Sequence, residues 1–193
     1  YVNLDSIQKT TGNSDRQAAA QAVLEGQATY EQMSVMVGGD IASRLPGGWE
    51  SVRETIRQAQ SSMPIFASAP MAIQETLLFP YLSGAEFVRR FESRRQGESP
   101  LDDLPISTEQ VLFESAYFGE ERDVPTRVIL PGSARAGAGG HEETLGEFGT
   151  RLLLYEHLDD RATAVGAARG WDGDRNRVGF ETLDTYHPAG EVD

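Results

Sequence analysis

The stretch "DRQAAAQAVLEGQATYEQMSVMV", Asp15 to Val37, decides what kind of fold this chain has. It is rich in alanine, glutamine and other helix formers, and it runs far longer than any strand. Ser14 stands just before it and Gln17 three residues on, which predicts a capping box that opens a helix at Ser14. Asp15 adds negative charge where the helix dipole favours it. Gly38 and Gly39 end the pattern, so the helix is expected to run to about Val37. Gly26 interrupts it at a cost of about 1 kcal/mol relative to alanine. A glycine there points to close approach by another backbone or by a ligand. Ala18, Ala22, Glu25 and Thr29 share one face of this helix. That face of small residues with one carboxylate lets another helix pack very near, and it places Glu25 where a metal held by a neighbour could be reached. A solvated glutamate is the plainer reading of the same residue.

Outward from this helix the chain reads as mainly helical. Residues 1–13, "YVNLDSIQKTTGN", read as a loop. A second helix is expected over 49–62. Pro64, Pro70 and Pro80 punctuate the next segment, with helical periodicity in "MAIQETLLF" and a separate helix over 83–97, where Phe87 and Phe91 lie one turn apart. Residues 97–105 are a loop. In "STEQVLFESAYF" Ser107 reads as an N-cap with Gln110 completing a second capping box. "PTRVILPG", 125–132, is the best strand candidate, with a loop over 133–140 after it. "EETLGEFGTRLLLYEHLDD" predicts the longest late helix, with Leu145, Phe148, Leu152 and Tyr155 as its core stripe. "DRATAVGAARGW" is a shorter helix ending near Gly170, and 176–186 alternates as a second strand. The fold class is mainly α, or α+β with a small sheet element. No repeat or clean boundary appears, so residues 1–193 are expected to form one mostly helical domain.

Composition narrows the function. The 193 residues carry a formal net charge of −13, which repels nucleic acid and anionic membrane surfaces. No apolar run approaches the roughly 18 residues of a membrane span. There is no cysteine, which rules out disulfides and thiolate metal ligands. The start at Tyr1, with no charged or apolar leader, is expected of a processed product or a fragment of a longer chain.

Metal ligands must then come from His, Asp and Glu. The histidines are His141, His157 and His187. "HEETL" at 141–145 begins like a zinc-binding helix, but Leu145 stands where a second histidine would have to share its face. His141 reads as solvated near a helix start. His157 reads as a cation near a helix C-terminus, and His187 as part of a terminal loop. "WDGDR" at 171–175 reads as a tight turn, with an acidic calcium loop as the weaker alternative.

Several segments together resemble a bacterial family of zincin-like neutral zinc metallopeptidases. In that family a helix bearing His-Glu-x-x-His-Ala-Leu-Gln-Asp-Gln precedes a hydrophobic-x-Leu-Asp loop and a helix with Ala-Leu-x-Glu-Gly-x-Ala-Thr. "YVNLDSI" (1–7) and "DRQAAAQAVLEGQAT" (15–29) are similar to the loop and the second helix. "LLFPYLSGAEFVRRF" (77–91), "PISTEQVLF" (105–113), "TLGEFGTRLLL" (144–154) and "ARGWDGDR" (168–175) resemble further family segments in the same order. Phe113-Glu114 replaces a His-Pro of the family. The resemblance implies that Glu25 is the third zinc ligand, zinc the cofactor, and peptide or protein the substrate, attacked by metal-activated water. The helix with the two histidines and the base is absent from this chain. No catalytic residue is therefore assigned in it, and Glu25 is a ligand only if histidines are supplied upstream. This leaves two readings. The chain is the C-terminal portion of such a peptidase, inactive alone, or it is a non-catalytic binding or structural subunit with a protein partner. The resemblance leans toward an exported, extracytoplasmic protein.

Overall fold

A computed structural model describes residues 13–39, 48–130, 141–158, 160–178 and 183–186. Residues 1–12 of the loop expected over 1–13, the loop expected over 133–140, and His187 lie outside the described residues, as does the side chain of His141. Among the described residues there are eight helices and three strands, so the protein is mainly α with a small sheet. The helices are α1 (Ser14–Val37), α2 (Gly48–Ser61), α3 (Pro64–Ala67), α4 (Met71–Arg94), α5 (Thr108–Leu112), α6 (Glu114–Phe118), α7 (Gly146–Leu158) and α8 (Arg161–Ala168). The strands are β1 (His141–Glu143), β2 (Arg175–Val178) and β3 (Leu183–Tyr186). None of these helices is long and apolar enough to cross a membrane.

The chain divides into two compact units, Ala20–Leu104 and the remainder, Tyr1–Ala19 with Pro105–Asp193. The first is helical. Its core takes Ala22, Val23 and Tyr30 from α1, Trp49 and Val52 from α2, and Leu78, Phe79, Leu82, Phe87, Val88 and Phe91 from α4. Phe87 and Phe91 are fully buried, with ring centroids 6.2 Å apart. Two ion pairs join α2 to α4: Arg53 with Glu86 at 2.6 Å and Arg57 with Glu75 at 2.9 Å.

One expectation changes in this unit. Pro80 does not separate two helices, because α4 runs unbroken through it. The proline withholds an N–H from the carbonyl one turn back, and in isolation that favours a break. Here Leu78, Phe79 and Leu82 are buried on either side of it, and tertiary packing holds the helical path. The loop after α4 turns at Gly97, φ +84°.

The expectation at Gly26 holds as a backbone contact. A Cβ on Gly26 would lie 2.1 Å from the Gly84 carbonyl carbon, and a Cβ on Gly84 would lie 1.9 Å from the Ala22 carbonyl oxygen. The helix brought close by the small residues of α1 is thus α4 of the same chain. At its end α1 stops at Gly38 and Gly39, both with positive φ, and the Gly39 N–H closes on the Ser34 carbonyl at 2.9 Å.

The second unit is mixed. Its sheet has the order β1-β2-β3, antiparallel throughout, with His141 opposite Val178 and Arg175 opposite Tyr186. The single strand expected over 176–186 is instead the pair β2 and β3. The strand expected over 125–132 does not form among its described residues. Residues 125–130 are irregular, and Thr126 donates its N–H to the Asp172 carbonyl and its hydroxyl to the Asp172 carboxylate. The late helix starts at Gly146, not near residue 142. Residues 141–143 are recruited into the sheet, where Glu142 binds both Arg175 and Arg177. The start of α1 is corrected as well. Asn13 caps it, its side chain accepting the Arg16 N–H at 2.9 Å. Ser14 instead ties the helix start to the β1 end, donating its N–H to Glu143 and its hydroxyl to the Thr144 carbonyl.

Replacing Gly26 or Gly84 with alanine drives a methyl group into a backbone that cannot yield, and each change is expected to destabilise the protein by at least about 2 kcal/mol. Gly166→Ala in α8, where a Cβ meets nothing within 4 Å, is expected to stabilise it by about 0.5–1 kcal/mol. Urea unfolding of the three variants checks both signs.

Candidate functional site

Glu25 occupies the middle of α1, half-buried, one residue before the Gly26 contact. Its carbonyl accepts the Thr29 hydroxyl at 2.7 Å. Its carboxylate has no hydrogen bond or ion pair with any other described residue. Zinc requires three protein ligands in a catalytic site. Among the described residues no three His, Asp or Glu side chains are grouped to hold a metal. Glu25 therefore supplies at most one ligand, and the described residues of this chain do not complete the set. His157 is exposed in the last turn of α7.

The "STEQ" segment has a structural role. Ser107 accepts the Gln110 N–H at 3.2 Å, and the Gln110 side chain accepts the Ile106 N–H at 3.0 Å. The reciprocal cap thus forms, reaching one residue further back than the usual box. The "WDGDR" segment is the expected tight turn. Both carboxylate oxygens of Asp174 are occupied by N–H donors: Leu145 and Gly146 from the backbone at 2.9 and 3.0 Å, the Trp171 indole at 2.8 Å, and the Asn176 amide. A carboxylate saturated this way is not presented to a calcium ion.

A group of buried acids lies in the mixed unit. Asp15, Glu109, Glu147 and Asp174 are each 5% exposed or less. Asp15 accepts both the N–H and the hydroxyl of Thr108, and the Thr108 hydroxyl in turn accepts the Phe148 N–H at 3.1 Å. Gly146 has φ +73°, and a side chain there would collide with the Asp15 carboxylate. Glu147 pairs with Arg151 one turn on. The buried residues of α7 are thus Gly146, Glu147, Arg151 and Tyr155. Of the expected stripe only Tyr155 is fully buried, and Leu145, Phe148 and Leu152 are half-buried.

Burial pushes the Asp15 carboxyl up to about 7, against the two Thr108 bonds and helped by the nearby charges of Asp174 and Glu147. Burial also pushes Glu109 up to about 8, reinforced by Asp123, Glu147, Asp172 and Asp15. Glu147 is raised by burial, with Arg151 and Arg169 opposing. One oxygen of each of Asp15, Glu109 and Glu147 is buried without a hydrogen-bond partner. Sequence reasoning missed this group, because Asp15 reads as a helix-dipole acid and Glu147 falls outside the apolar stripe read on its helix. The signal that could have found it was Glu147 and Arg151 at i, i+4 within the apolar run "LGEFGTRLLLY".

No protein-family model matches the chain, and neither does any curated protein or solved structure.

The raised acids make stability depend on pH in a direction unusual for an acidic protein. A carboxyl whose pKa is higher folded than unfolded stabilises the fold while protonated. That contribution is complete below about 4, the unfolded value, and is lost as pH rises through about 7 for Asp15 and about 8 for Glu109. The melting temperature is therefore expected to fall between about pH 5 and pH 8.5, each group contributing at most about 1.4 kcal/mol per pH unit. Asp15→Asn retains the acceptor for Thr108 and removes the charge, so its melting curve should be flatter between about pH 5 and 7. An unchanged slope would show that Asp15 is ionised across that range.

Proposed function

We propose that this chain is the C-terminal portion of a zincin-like zinc metallopeptidase, with Glu25 as one of three zinc ligands and two histidines contributed by a segment preceding Tyr1. The substrate class is peptide or protein, and the chain by itself is inactive. The order of the family-like segments along the sequence motivates the reading. The observation that carries it is Glu25. This carboxylate has no partner among the described residues, yet it projects from a helix turn fixed by the contact of Gly26 with the Gly84 backbone. A ligand benefits from that rigidity, because the cost of positioning it is met on folding. A solvated surface glutamate has no use for it.

The test uses the protein with its preceding segment. Zinc at 100 times its dissociation constant stabilises a folded protein by about 2.7 kcal/mol, so added zinc should raise the melting temperature. Glu25→Gln should remove most of that rise and lower bound zinc, measured by elemental analysis, while the melting temperature in chelator stays the same. Equal zinc content in the wild-type and Glu25→Gln proteins would end this reading.

A further inference from the structure

A cavity of about 260 Å³ lies in the mixed unit, and none of its lining residues has a role assigned with Glu25. Glu109 of α5 lines it together with Phe113, Ser115, Asp123 and Arg169. Glu109 is 5% exposed, and one of its carboxyl oxygens is buried with no hydrogen-bond partner. Leaving such a group unmatched is costly, and it leaves an acid in the cavity wall whose hydrogen-bonding capacity is not used up within the protein. The charges acting on Glu109 are all negative: Asp15 from α1, Glu147 from α7, Asp123 after α6 and Asp172 after α8. Two cations lie nearby, and neither acts on Glu109, although Arg169 is itself in the cavity wall. Arg151 pairs with Glu147, and both Arg151 and Arg169 lie over the Phe113 ring, at 5.3 and 5.4 Å from its centroid. The charge of Arg169 acts on Glu147.

The rim is fixed as well. The Asp123 N–H donates to the Ala116 carbonyl at 2.9 Å, and the Gln110 amide donates to the Asp123 carbonyl. Asp123 is thereby held at the mouth of the cavity while its side chain remains exposed. An acid in the wall and a second acid at the mouth suit a flat donor with several N–H groups.

We propose that this cavity binds a guanidinium group, as carried by an arginine side chain, with Glu109 as the inner anchor and Asp123 at the rim. Guanidinium is the fitting cation because it is planar, weakly hydrated and able to donate to two carboxylates at once. The volume of about 260 Å³ has room for that head and its stem. Binding converts the Glu109 acid to a carboxylate, so a proton is released to solvent at neutral pH.

The test is calorimetric titration of the chain at about pH 7.5 with N-acetyl-arginine methylamide, free arginine, and the uncharged citrulline counterpart of the first. The arginine derivative should bind at least about tenfold more tightly than the citrulline one and release a proton, detected as a heat that differs between buffers of different ionisation enthalpy. Glu109→Gln should weaken binding by about tenfold or more and abolish the proton release. Asp123→Asn, at an exposed position that does not threaten folding, should weaken binding several-fold while the proton is still released. Free arginine binding as tightly as the blocked form would identify a free amino acid as the source of the group, and weaker binding would identify a residue in a peptide. The proposal is overturned if the arginine derivative gives no heat, if citrulline binds equally well, or if Glu109→Gln binds as the wild type does.

Discussion

Four N–H donors converge on the carboxylate of Asp174, and the mixed unit is organised around that convergence. Leu145 and Gly146 donate from the start of α7, Trp171 from the turn before the acid, and Asn176 from β2. One 3%-exposed side chain thereby joins the end of β1, the first turn of a helix and the strand after the turn. Burial of this carboxyl group is tolerated because both its oxygens are hydrogen-bonded. The consequences reach further than the bonds. Gly146 is held at positive φ, and its missing side chain is the space into which Asp15 fits. Thr108 then binds Asp15, which fixes α5 and with it the position of Glu109.

The two units treat their acids differently. In the helical unit two of the three partly buried glutamates of α4 meet an arginine: Glu75 has Arg57, and Glu86 has both Arg53 and Arg90, while Glu92 is raised by burial and by the charge of Glu31. In the mixed unit the buried carboxyls mainly face one another. Glu147 has Arg151, but Asp15 and Glu109 have no ion-pair partner among the causes that set their protonation.

Periodicity made the helices legible. The span of α1, its stop at Gly38-Gly39, the Phe87–Phe91 turn, and the cap at Ser107 come from short-range rules, and the structure has them. The features that the sequence concealed depend on residues far apart along the chain. Asp15 is buried because Thr108, 93 positions away, binds it. Residues 141–143 join a sheet because Glu142 finds two arginines more than thirty residues on. Residues 125–130 have strand-like composition but no neighbour to complete a ladder among the described residues. Pro80 overstates a break because flanking burial outweighs one lost N–H. Glu25 draws notice in the sequence through the glycine beside it and the small residues of its face. Those small residues are explained in part by α4, and Glu109 had no local signal at all.

The contact between Gly26 and Gly84 also constrains how this sequence can change. The Gly84 backbone occupies the volume that a side chain on Gly26 would need, and the Ala22 carbonyl, one turn before Gly26, occupies the volume that a side chain on Gly84 would need. Neither can be exchanged first, and exchanging both only adds a second collision. An apolar core position such as Val88 drifts through substitutes of similar volume, with neighbours compensating step by step. Here there is nothing to compensate with, since backbone atoms have no smaller version. Any descendant that keeps this helix crossing keeps both glycines, and one that loses either has to separate α1 from α4 and rebuild the interior between them.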